Sequence, residues 1–80
     1  MGISATNAEP VAVSVVVTET HLRVFLADGR EIAAPLAWFP RLARATPEQC
    51  AKWRLIGIGS GIHWPDVDED VSVAALLATH

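Results

Sequence analysis

Eighty residues supply material for one hydrophobic core and exclude a second lobe. Hydrophobic residues form 51% of the chain and charged ones 19%, enough apolar surface to offset ordering entropy, so a folded domain is expected over residues 11–80 behind a flexible lead at residues 1–10. The net charge of −3 lacks the dominant basic face that neutralises phosphates, so direct nucleic-acid binding is not expected.

Apolar runs fall far short of the roughly 20 residues needed to cross a bilayer. Met1 to Pro10 carries no basic segment followed by an apolar one, so the expectation is no secretory signal and a cytoplasmic protein. Cys50 is the only cysteine, which excludes an internal disulfide and a cysteine-based metal cage; it reads as a small half-buried apolar residue.

Taken in chain order, Val11 to Thr18 is dense in β-branched residues and predicts a first strand, with Val13, Val15 and Val17 on one face. Leu22 to Ala27 alternates as a second strand. Asp28-Gly29 follows, and Asp-Gly between apolar runs predicts a hairpin through a type I′ turn, with Arg30 to Ala34 returning as the third strand. Pro35 ends that strand. Trp38 and Phe39 are placed at the sheet's end, before a short helical piece over Arg41 to Ala45.

Thr46-Pro47-Glu48-Gln49 is a capping box with proline at the first helical position, and predicts a helix from Pro47 to Trp53. Leu55 to Ile62 interleaves Ile56, Ile58 and Ile62 with Gly57, Gly59 and Gly61, which reads as a fourth strand ending near Trp64, closely approached by another backbone or a bulky side chain. Asp66 to Asp70 then precedes an apolar run from Val71, read as a C-terminal helix with the acids at its N-terminus. The class is α+β: a three-stranded meander plus a fourth strand, two short helical segments and a last helix.

Motifs that carry chemistry are sparse. Gly57, Gly59 and Gly61 lack the third glycine of a dinucleotide fingerprint and the Gly-Lys-Ser/Thr of a phosphate loop. Ser60 has Ile58 where a nucleophile elbow requires glycine. Asp66, Asp68 and Asp70 alternate like the opening of a calcium loop, but Val71 and Leu77 stand where that loop needs glycine and glutamate. His21, His63 and His80 have no acid/base spacing; His63 near Asp66 is the one candidate dyad. No catalytic residue, metal or cofactor is therefore assigned.

Asp66, Asp68, Glu69 and Asp70 form the strongest charge feature, because after Arg54 no lysine or arginine follows. Capping a helix would use two of them. The remainder make a negative field that attracts a basic surface, so these four are the candidate partner-binding residues. Trp64, which with Trp53 brackets the region, joins them as an interface anchor, against the alternative of a buried core residue.

The stretch from Trp53 to Leu77, above all Gly61-Ile62-His63-Trp64-Pro65-Asp66 running into Asp68-Glu69-Asp70, resembles the small bacterial proteins of the domain of unknown function 2442 family. Phe39-Pro40-Arg41-Leu42 and Ala27-Asp28-Gly29-Arg30 extend the likeness across nearly the whole chain. The resemblance implies an α+β fold with a hairpin sheet and a C-terminal helix. It also implies an antitoxin-like setting, since members are often encoded beside another small protein, and it gives the acids a structural duty within the motif.

The expected function is a non-catalytic, antitoxin-like interaction module that binds a basic protein partner through an acidic edge. The alternative is a phage or mobile-element inhibitor of anti-CRISPR type that mimics DNA toward a nucleic-acid-binding complex. A metal-assisted hydrolase using His63, Asp66, Asp68 and Asp70 is a weaker third reading. The expected state is a monomer or a weak homodimer, since exposed edge strands permit self-pairing without requiring it.

Overall fold

The computed structural model describes residues 10–78, so the lead expected over residues 1–10 lies, apart from Pro10, outside the described residues. Three strands come first, β1 (Ala12–Val17), β2 (His21–Leu26) and β3 (Glu31–Pro35), paired antiparallel in the order β1-β2-β3. Leu22, Val24 and Leu26 face one side of the sheet and are buried, joined by Val15, Ile32 and Ala34. The period of two read from the sequence is thus a face packed on the core. On the opposite face Arg23 lies over the Phe25 ring at 5.4 Å and donates to Glu31 across the strand pair at 2.5 Å. That hydrogen bond holds the Glu31 carboxyl below the usual carboxylate range.

Two expectations for this sheet change in detail. Val13 does not share the face of Val15: the register shifts between Ala12 and Ser14, and the bulge sends Ala12 into the core and leaves Val13 52% exposed. The Asp28-Gly29 hairpin forms, but as a longer loop. The Gly29 N–H donates to the Leu26 carbonyl at 3.1 Å, the Leu26 N–H to the Arg30 carbonyl at 2.8 Å, and Gly29 alone in the loop has positive φ, at 94°. A type I turn closed by a left-handed glycine gives this geometry. Asp28 suits it because its carboxylate accepts the Arg30 amide at 3.0 Å.

A single 3-10 turn over Leu36–Trp38 leads into α1 (Pro40–Ala43) and α2 (Pro47–Ala51). The Thr46 capping box is present in both directions, and α2 ends at Ala51 rather than at Trp53. Cys50 is buried on α2 with its thiol toward the Leu42 carbonyl at 3.6 Å, and burial pushes that thiol up.

The expected fourth strand is two strands, β4 (Arg54–Ile56) and β5 (Gly61–Trp64), which with β6 (Glu69–Ser72) make a second antiparallel sheet in the order β4-β5-β6. The break falls at residues 57–60 because Gly57 and Gly59 turn the chain with positive φ. Gly59 also meets the first sheet. Its carbonyl accepts the Ala12 N–H at 2.7 Å, and a Cβ there would stand 2.5 Å from the Ala12 carbonyl oxygen. This is the close backbone approach that the glycine spacing predicted, placed in a turn instead of a strand. The last element is α3 (Val73–Ala78). Its Val73 and Leu76 join Leu22, Val24, Leu42, Ile62, Trp64 and Val71 in one core cluster fed by both sheets.

Gly59→Ala is expected to lower stability by more than ~2 kcal/mol, since left-handed strain is combined with a backbone clash. Gly29→Ala, with a similar φ and open space around it, should cost only about 1 kcal/mol. Urea unfolding compares the two, and equal losses would show that the contact of Gly59 with β1 does not hold the sheets together.

Candidate functional site

The four acids sit at one end of the second sheet, in a hairpin rather than at a helix N-terminus. Trp64 pairs with Glu69 across β5 and β6, so residues 65–68 form the loop. The Val67 N–H reaches the Trp64 carbonyl at 3.4 Å, which places Pro65 and Asp66 at the corners of a turn where proline's fixed φ is favoured. Asp68 closes the loop with φ 54°, a left-handed conformation that aspartate tolerates better than most residues. Its carbonyl accepts the Arg41 guanidinium from α1 at 2.5 Å, which ties the loop to the rest of the fold.

The expected capping role of the acids is therefore corrected. Glu69 to Ser72 is extended because Val71 pairs with Ile62 and is buried beside it. The helix begins only at Val73. Ser72 serves its first turn, its hydroxyl accepting the Ala75 N–H at 3.2 Å.

Strand alternation separates the acids from one another. Asp66 and Asp68 are exposed in the loop, Glu69 is half-buried on the face of β6 that also carries Val71, and Asp70 points to the other face. There Asp70 meets His63, with Nδ1 to Oδ1 at 2.5 Å, and Arg54 stands in register with His63 on β4. A row of Arg54, His63 and Asp70 thus crosses the three strands. Lys52 approaches Asp66 at 3.8 Å. His63 therefore pairs with Asp70, not with Asp66 as the sequence reading placed it. Among the described residues no group of three or more His, Cys, Asp or Glu is gathered as a metal would need, so the set His63, Asp66, Asp68, Asp70 is not assembled.

Trp64 is 0% exposed, and its Nε1–H donates to the Cys50 carbonyl at 2.9 Å. It touches no surface that a partner could reach. Its place is the alternative read from the sequence, a core residue, and from there it supports the acidic loop that begins at the next residue.

Sequence reasoning missed Trp38 and the His63–Asp70 pair. Trp38 was placed as closing the sheet's end, yet it is 51% exposed and, with Asp70, lines a hollow of about 290 Å³ along the outer edge of β6. Reading residues 65–68 as a four-residue hairpin loop would have found the pair, because residues 63 and 70 then fall opposite each other.

These features define a small α+β domain of two antiparallel meanders that share one core and present an acidic hairpin at one end. The chain belongs to the family described as "Protein of unknown function (DUF2442)", whose profile matches residues 12–79. It is similar to a protein of unknown function from Rhodospirillum rubrum ATCC 11170 whose crystal structure superposes with a TM-score of 0.77 at 28% identity, over 90% of this chain and 89% of that one. No curated protein matches. Among the described residues no helix is long and apolar enough to cross a membrane.

Asp68→Gly is expected to hold or raise the melting temperature, because glycine relieves the left-handed strain, whereas Asp68→Ala should lower it by several degrees. Thermal unfolding of the two variants checks this. A lower melting temperature for the glycine variant would mean that the carboxylate itself holds the loop.

Proposed function

We propose that the chain is a non-catalytic protein-interaction module, antitoxin-like in role, that binds the basic surface of a protein partner in the cytoplasm through Asp66, Asp68, Glu69 and Asp70. The observation that supports this reading is the placement of four carboxylates on one hairpin and edge strand, three of them exposed. Clustered carboxylates at an edge raise the local field and speed encounter with a basic surface.

The chain's own cations leave room for that encounter. The pair of Lys52 with Asp66 is long and exposed, and such pairs contribute less than ~1 kcal/mol, so a partner's basic group displaces it at little cost. Arg41 engages the carbonyl of Asp68 and leaves its carboxylate alone. Trp64 contributes by holding the hairpin from beneath.

The DNA-mimic reading is weaker on the same geometry. A mimic presents carboxylates repeated along a line as phosphates are, while here strand alternation turns Glu69 and Asp70 to opposite faces. One docked protein surface suits the arrangement better.

The triple variant Asp66→Asn, Asp68→Asn, Glu69→Gln tests the proposal. A lysate pull-down at low and high salt identifies the partner, and association kinetics follow with the purified pair. The expected result is a small co-encoded protein, released by salt, whose association rate falls about tenfold in the triple variant. Equal rates for wild type and variant would overturn the acidic edge, and retention of a nucleic-acid-binding complex would favour the mimic.

A further inference from the structure

We propose that the hollow beside β6 seats an arginine side chain of the protein partner. The inference rests on the acidic-edge reading and names the residue that this edge receives. The hollow, about 290 Å³, is lined by Trp38, Phe39, Asp70, Val71, Ser72, Ala75 and Leu76. That volume lies at the bottom of the range occupied by small-molecule sites and matches a single side chain better than a free ligand.

Its lining fits a guanidinium on an aliphatic stem. Val71 and Leu76 are core residues that also line the hollow, and with Phe39 they offer apolar surface for three methylenes. Trp38 is half exposed on the 3-10 turn, and the indole is the aromatic face to which cations bind best. Asp70 supplies the counter-charge. Its Oδ1 takes the His63 contact and its side chain remains 69% exposed, which keeps Oδ2 open to a donor.

Arginine is favoured over lysine by shape. A guanidinium is planar, stacks on an indole and donates in a fork to a carboxylate, whereas an ammonium is a strongly hydrated point charge. The chain's own guanidinium nearest the acids, Arg41, is committed to the Asp68 carbonyl. Acidic side chains are repelled by Asp70. Tryptophan and arginine are also the residue types that dominate binding energy at protein interfaces, so one such pair can anchor a small contact.

The test is a titration of the isotope-labelled full chain, followed by amide and indole resonances, with three capped tripeptides: Ala-Arg-Ala, Ala-Lys-Ala and the citrulline analogue, which keeps the shape of arginine without its charge. The arginine peptide is expected to give saturable shifts at the Trp38 indole N–H and the Asp70 amide, with Trp53 and Trp64 as internal controls. Lysine should bind at least ~3-fold more weakly, and Trp38→Ala or Asp70→Asn should each weaken arginine at least ~5-fold while the remaining resonances stay in place.

Equal shifts with the citrulline peptide, or none at Trp38 with arginine, would overturn the pocket. Octalysine, titrated separately, reports on the hairpin. A response at Asp66 and Asp68 without an arginine response at Trp38 overturns the pocket and leaves the acidic edge, while silence in both titrations overturns both.

Discussion

The indole of Trp64 stands in the core that the two sheets share and ties it to the helical segment between them. It is the largest fully buried side chain, it stands on the central strand of the second sheet, and its N–H is satisfied by the Cys50 carbonyl on α2. A side chain of this size removes ~200 Å² of surface from water, on the order of 5 kcal/mol before ordering entropy is subtracted. A buried indole N–H without an acceptor would cancel a good part of that gain, so the hydrogen bond fixes one orientation of the ring. Once the ring is fixed, so is the start of the loop that carries the acids.

Two further ties complete the frame. The Gly59 turn presses on the bulged beginning of β1, and Arg41 reaches from α1 to the carbonyl of Asp68. Each joins an earlier element of the chain to a later one by way of the backbone, so side-chain identity matters at only one end of each contact. The consequence is a loop whose backbone is held from two sides while its carboxylates remain in solvent. Rigid presentation of exposed charge lowers the ordering cost of association, which suits the proposed role in binding.

The acids also act on the sheet that carries them. β6 is an edge strand, and charges at an edge discourage pairing with another chain. Its outer side is partly covered by α3 and flanked by Trp38, so what remains open is a short hollow with a carboxylate at its rim rather than a bare row of backbone groups. Protection of the edge and the proposed recognition there thus fall on the same residues. The His63–Asp70 contact adds order, holding one carboxylate oxygen in place while the side chain stays largely exposed.

The sequence by itself determined the class, the first meander, the capping box at Thr46, the close backbone approach at the glycine stretch and the position of the charge. These are local: period-two burial, proline and glycine geometry and side-chain capping act over a few residues and survive any tertiary context. Only the tertiary structure decided that the glycine stretch is two strands, that Glu69 to Ser72 is a strand and not the start of a helix, that Val13 faces out, and that Trp64 is inside while Trp38 is outside. Contacts between separate segments carry several of these outcomes: Ala12 on Gly59, Ile62 beside Val71, Cys50 for Trp64. An apolar run beginning at Val71 satisfies helix and strand alike until pairing with Ile62 supplies the backbone hydrogen bonds that choose between them.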